Sequence, residues 1–331
     1  MDTKVYNLGP NVEFLEYRDE KEWHALRKDG IGGSDIGAVL KLNKYTSPYK
    51  LYRIKKGLYA EDVEDNVYIK KGKALESYVF ENYVVPEMNS LGYTTVHPEH
   101  VFVNKQYPWL RANCDGLAVP RVVPCDPEKN VVIEIKWVSE YAEVNWNGED
   151  YYGVPASYYA QVQHYMTVTG ASSAKIFALF DSDWSVKVYD IPYNPSFCCK
   201  LISQSKIFHD NLLADIEPEL VPTLDKDSMP EALEVAELRT TVKSEELDEK
   251  IAQYLAIKAN IKALELELDN CFNDAVNMYL SGKRPAGPFK MSISTCKRSG
   301  FDSKKFAEDC PETYKRYKNI TEYTRTTISR R

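Results

Sequence analysis

The sequence predicts an α/β protein, α+β in layout, with a central mixed sheet flanked by helices and a C-terminal appendage that is helical and then small α/β. Three observations carry this. Apolar residues recur at helical spacing up to about residue 85, change to strand-like runs from residue 98, and return to helical spacing after the apolar run VVIEIKWV. At 331 residues and 44% hydrophobic the chain can bury a sizeable core.

The elements follow in order. GIGGSDIGAVLKL reads as a glycine-rich turn in which Ser34 or Asp35 caps a short helix. Ser47-Pro48 starts a second helix that stops at Gly57. Glu61 to Asp65 is an acidic loop, and GKALESYVFENYVV then puts Leu75, Val79 and Tyr83 on one helical face with Glu76 beside it. EHVFVNK, WLRANCDGLAV and VVIEIKWV read as three consecutive strands of one sheet. Residues 155–169 form a helix, AKIFALF and WSVKVYDI a hairpin about Asp181 to Asp183, and a helix over about 195–216 closes the region.

Prolines and acidic residues between 217 and 231 divide the chain into a core, 1–218, and an appendage, 219–331. In the appendage Tyr254, Ile257, Ile261, Leu264, Leu268, Cys271, Ala275 and Met278 recur every three or four residues, the seam of a helix that packs on another. FKMSISTCK, SKKFAEDCPETYKRY and TEYTRTTIS then read as strand, helix and strand.

Composition narrows the function classes. No apolar run approaches the ~20 residues that span a bilayer, and the first residues lack a secretory pattern, so no membrane partner and a cytoplasmic location are expected. Seven scattered cysteines without zinc-type spacing predict reduced thiols. The net charge of −7 is uneven: residues 283–331 carry +8 and the rest −15. That ending can contact phosphates or be a solvated tail.

Asp115 falls at the end of one strand and Glu134 within the next strand of a hairpin, with Lys136 two residues on and on the same face as Glu134. Carboxylates converging in this way can hold the hard cations that phosphodiester hydrolysis needs. An acid-x-Lys triplet alone says little, because Asp2, Asp19, Asp248 and Asp302 each head another. Only Glu134-Ile135-Lys136 lies inside an apolar strand, where two charges must be paired with each other or bound to metal. Both alternatives stand on these residues alone. Gln161 and Tyr165, four apart, face the same way on the following helix, as functional groups or as ordinary packing.

This set, Asp…Glu-x-Lys followed by Gln-x-x-x-Tyr, resembles the PD-(D/E)xK nucleases of the RecB-like branch, with their restriction-endonuclease-like core. WHALRKDGIGGSDIGAVL, GKALES and VPASYYAQVQHYMTVTG make the resemblance specific to the YqaJ and phage lambda exonuclease family over roughly residues 20–192. The resemblance implies a cytoplasmic phage or prophage enzyme of a bacterial host. It would digest linear duplex DNA from 5′-phosphorylated ends, 5′ to 3′, and leave 3′ single-stranded tails for recombination. It implies magnesium, with manganese able to substitute, held by Asp115, Glu134, the Ile135 carbonyl and Glu76. Lys136 would orient and help deprotonate the attacking water, Gln161 would brace Lys136 or the scissile phosphate, and Tyr165 would support Gln161. Arg27 and Ser34 match positions that bind the 5′-terminal phosphate, and backbone N–H groups at Gly32-Gly33 suit an anion equally well. Ser34 as a plain helix cap is the alternative, and Trp23 and His24 receive no role. The implied partners are a single-strand annealing protein of the RecT or Beta type and further copies of the chain, as a trimeric ring. Roughly the last hundred residues have no counterpart in the minimal lambda-type enzyme. An endonuclease, or an inactive DNA-binding scaffold, would share part of this pattern.

Overall fold

The strand Val131–Val138 shows how the sequence builds the core. Val131, Ile133, Ile135 and Trp137 enter one apolar cluster with Val79, Val84 and Met88, while Val132 and Val138 join a second with Tyr159, Val162 and Met166. Glu134 and Lys136 therefore fall on the second face, between two buried valines. The structure is a computed structural model. It describes residues 6, 8–59, 67–122, 126–229, 243–287, 291–293, 295, 303–312 and 315. They fall into two compact units, 1–225 and 226–331.

The first unit holds two mixed sheets with helices around them, the fold class the sequence predicts. One sheet contains β1 (Val12–Leu15), β2 (Ile31–Gly32), β4 (Val101–Asn104) and β5 (Tyr107–Ala112) in the order β1-β4-β5-β2, with β2 parallel to β5. The other contains β3 (Tyr93–Val96), β6 (Gly116–Pro120), β7 (Val131–Val138), β8 (Ser173–Phe180) and β9 (Val186–Pro192) in the order β3-β6-β7-β8-β9. β7 and β8 are parallel, joined through the helix Ala156–Thr169, and the remaining pairs are antiparallel.

The expected strands and the helix from residue 72 need correction. The strands from 98 to 138 lie in two sheets, and WLRANCDGLAV is not one strand but β5 and β6, broken at Asn113-Cys114-Asp115. Trp23 Nε1 donates to Asn113 Oδ1 at 2.6 Å, and Cys114 is buried, so side-chain contacts hold the chain where it leaves one sheet for the other. Asp115 thus sits ahead of β6. Gly116 must then approach β7 closely: a Cβ there would stand 2.9 Å from Phe80 and 3.1 Å from Ile133 Cβ. The helix expected from residue 72 runs as α4 (Val67–Val79), passes through a π-helical turn at Phe80–Val84 and continues as α5 (Val85–Ser90). Pro86 has no N–H to give the preceding turn, which accounts for the widening.

Elsewhere cap chemistry sets the helix starts, in one place as read and in two others not. Asp19 caps α1 (Glu20–Lys28), a helix the periodicity missed, and Ser47 caps α3 (Pro48–Lys55) by accepting from Lys50 N at 2.9 Å. The N-cap of α2 (Gly33–Val39) is Gly32, not Ser34 or Asp35; Asp35 instead reaches back to accept the Gly32 N–H at 2.8 Å. α6 (Ala156–Thr169) is buried from Tyr159 onward and ends at Gly170 in the left-handed region, φ 79°. α7 spans Pro195–Leu213 and stops before Asp215, φ 54°. Residues 219–225 stay with this first unit, where buried Asp225 accepts from Ser47 Oγ at 2.5 Å and Val221 N at 2.7 Å.

The second unit contains the 36-residue helix Glu245–Leu280, capped by Ser244, and a short helix Ser303–Asp309. The expected seam of Tyr254, Ile257, Ile261, Leu264 and Leu268 is about half or more exposed at each position, so these residues are not paired among the described residues. Most of the two expected C-terminal strands lies outside the described residues.

Candidate active site

Burying a carboxylate costs several kcal/mol unless partners replace its water. Glu134 is 2% exposed, and its Oε1 accepts from Lys136 Nζ and from Gln161 Nε2, the latter at 2.6 Å. Gln161 Nε2 also approaches the Tyr165 hydroxyl at 3.0 Å. Asp115 Oδ2 accepts the Ile135 N–H at 2.7 Å, which ties the residue before β6 to the middle of β7. The antiparallel pairing of Gly116 with Ile133 brings these residues together. The structure thus unites Asp115, Glu134, Ile135, Lys136, Gln161 and Tyr165 over a sequence span of fifty residues. Ile135 contributes its N–H to this set.

A cleft of about 660 Å³ opens beside them, lined by Glu76, Asp115, Ile135 and Lys136 among others. Glu76 enters from α4, where its carboxylate lies 3.7 Å from His97 Nε2. Among the described residues no three His, Cys, Asp or Glu side chains close into a metal cluster, and Glu76 lines the same cleft as Asp115. The donor set nonetheless fits a cation. Among the described residues, Glu134 Oε2 is buried without a hydrogen-bond partner. Burial, then the Glu134 charge, pushes the Asp115 carboxyl well above its ordinary range, and burial raises that of Glu134. A hard divalent ion would relieve both. Burial alone would lower the Lys136 pKa, but the Glu134 and Asp115 charges outweigh it and hold the ammonium protonated.

Arg27 and Ser34, seven residues apart, also meet. Arg27 Nη2 donates to Ser34 Oγ at 3.0 Å, and the guanidinium lies over the Trp23 ring at 4.6 Å. Trp23, given no role by the sequence, thus supports Arg27 on one side and the Asp115 loop on the other. Lys55 fixes the turn between α1 and α2: Nζ donates to the carbonyls of Arg27 and Gly30 and pairs with Asp35 at 2.6 Å. Arg27, Lys28 and Lys55 line a smaller cleft of about 240 Å³. Because Asp35 already takes the Gly32 N–H, that backbone donor is not offered to an anion.

Tyr165 connects the two places. Gly33 packs on its ring so closely that a Cβ would stand 2.3 Å from Cε1, and Gly33 is followed by Ser34. One residue escaped the sequence reading altogether. Lys136 Nζ sits 4.9 Å from the centre of the Tyr158 ring. Tyr158, Gln161 and Tyr165 fall at i, i+3 and i+7 on α6, a spacing that would have pointed to it.

An acidic and lysine-bearing strand pair, backed by a buried Gln–Tyr helix face in a mixed α/β fold, defines the class of site. Comparison with known proteins adds to this: residues 22–172 match the model of the YqaJ-like viral recombinase domain. A Bacillus subtilis (strain 168) protein described as uncharacterized protein YqaJ is 25% identical over 319 residues, 92% of each chain. Among solved structures, an alkaline exonuclease (LHK-Exo) from Laribacter hongkongensis is 18% identical with a TM-score of 0.44, covering 65% of this chain and 99% of that one. A phage related exonuclease from Haemophilus somnus 129PT is 13% identical with a TM-score of 0.41, covering 56% of this chain and 96% of the other.

Proposed function

We propose that this protein is a metal-dependent exonuclease that digests linear duplex DNA from 5′-phosphorylated ends, 5′ to 3′, leaving 3′ tails for recombination with an annealing protein. The observation that carries the reading is the buried Glu134–Lys136–Gln161 cluster beside Asp115 at a cleft, inside a YqaJ-like domain. Asp115 and Glu134, with the Ile135 carbonyl and Glu76, would hold magnesium. When bound, the ion lowers the pKa of a water and neutralises charge developing on phosphate. Lys136 would orient the attacking water, help deprotonate it and stabilise negative charge on the phosphate oxygens. Glu134 and Gln161 restrict where Lys136 can point. Arg27 and Ser34 would receive the terminal phosphate through charge-assisted hydrogen bonds.

The test is a digestion assay on 5′-phosphorylated, 5′-hydroxyl and covalently closed circular duplexes, with and without magnesium. The phosphorylated linear duplex should be consumed only with metal, circles should survive, and the Arg27→Ala/Ser34→Ala variant should lose the preference for phosphorylated ends. Cutting of closed circles would replace the reading with an endonuclease.

A further inference from the structure

We infer that the main cleft holds a single DNA strand between two chemically different lips, bases against one and phosphates along the other. The inference rests on the nuclease reading above. Tyr45 and Tyr141 both line the cleft, yet they are 79% and 86% exposed, so neither ring serves the core. Lys44 Nζ donates to Asn145 Oδ1 at 2.5 Å, which ties the Tyr45 loop to the segment carrying Tyr141. That segment is firmly anchored: Trp146 is buried, with ring centres 5.7, 5.8 and 5.3 Å from Tyr158, Phe180 and Tyr189. Between Ser139 and Asp150 it contains Glu140, Glu143, Glu149 and Asp150 and no Lys or Arg. Apart from the Lys44 ammonium held by Asn145, this lip offers phosphates only carboxylates, whereas aromatic faces are welcome.

The lip formed by α4 is the reverse. Gly72, Leu75, Glu76 and Val79 face the cleft, and Lys71 and Lys73 are exposed alongside. Lys71 Nζ lies 5.0 Å from the ring centre of Trp137, itself a lining residue, which keeps one positive charge at the rim. A Cβ at Gly72 would meet nothing within 4 Å among the described residues, so a backbone can approach the helix closely there. A nucleic-acid strand has this same division, with flat π-faces on one side and charges on the other. Tyr45 and Tyr141 therefore stack bases, and Lys71 and Lys73 follow the phosphates.

Fluorescence anisotropy decides it, using a twelve-nucleotide thymidine strand and its abasic counterpart over a salt series, with calcium replacing magnesium. The wild type should bind the thymidine strand more tightly than the abasic one. Tyr45→Ala/Tyr141→Ala should weaken the thymidine strand about tenfold and leave the abasic strand unchanged. Lys71→Ala/Lys73→Ala should weaken both and flatten the dependence of log K on log salt by about 0.7 per lysine. An unchanged base preference in the tyrosine variant, or an unchanged slope in the lysine variant, overturns the assignment of the lips while the nuclease reading stands. Failure of the wild type to bind either strand overturns both.

Discussion

Lys136–Glu134 and Arg27–Ser34 are both contacts between a cation and an oxygen, and they differ in water. Lys136 and Glu134 have side chains 19% and 2% exposed, whereas the Arg27–Ser34 bond lies at the surface. Breaking a buried pair strands a charge and costs about 3–5 kcal/mol. A surface hydrogen bond contributes about 0.5–1.5 kcal/mol, since water takes its place. The buried pair is therefore bound up with the fold as well as the chemistry, while Arg27 and Ser34 can exchange each other for a ligand at little expense. On the proposed reading, the groups that do chemistry and those that recognise the end are separated by the single ring of Tyr165, packed on Gly33.

The largest effect expected from breaking this contrast is that of Lys136→Ala. Turnover should fall by about 10²–10⁴-fold, the range for a positioned proton-transfer or water-orienting group. Thermal unfolding should also reveal a loss of about 3–5 kcal/mol, because Glu134 then lacks its cation. Replacing both partners, as Glu134→Gln/Lys136→Met, should recover most of the stability and none of the turnover. A Lys136→Ala protein as stable as the wild type would mean that the pair is not dry.

Gly33→Ala should give the next largest effect and tests the link between the two places. Its Cβ would stand 2.3, 2.5 and 2.8 Å from Tyr165 Cε1, Cζ and the hydroxyl oxygen. Tyr165 is buried and hydrogen-bonded to Gln161, so the ring has little room to give. Overpacking of this kind costs about 1–3 kcal/mol. Calorimetry should report that loss, and kinetics a fall in kcat greater than any rise in KM, since the displacement passes through Gln161 and then Glu134 to Lys136. Wild-type kcat and stability together would show that the two places are independent.

Much of the site was legible because burial leaves a mark on sequence. Glu134 and Lys136 stood out as charges inside VVIEIKWV, and the strand does bury Glu134 among valines and isoleucines. Gln161 and Tyr165 were legible through helical spacing, and Ser47 through its cap chemistry. What escaped depended on contacts between distant residues. The break at Asn113 to Asp115 is held by Trp23, ninety residues away, and no local pattern announces it. α6 gave the clear 155–169 reading but no polar face to orient it, because its residues from Tyr159 on are buried on every side. Gly32 displaced Ser34 as the cap because the Asp35 side chain was free to reach back.

Tyr158 gives the finest test of the contrast, because its ring faces the Lys136 ammonium without carrying a charge of its own. A cation over an aromatic face gains about 0.5–2 kcal/mol, more when dry. With Glu134 pulling Lys136 along the sheet, the ring 4.9 Å away limits how far the ammonium can swing into the cleft. Tyr158→Phe keeps the face and should retain kcat within about twofold. Tyr158→Leu keeps bulk without the quadrupole and should lower kcat up to about tenfold with little change in KM, well short of the loss in Lys136→Ala. Should Phe and Leu fall equally, the hydroxyl would be the active element and Tyr158 would belong with the groups that touch substrate. Should KM rise while kcat holds, the ring would be part of the strand-binding lip, and Lys136 would be positioned by its carboxylate alone.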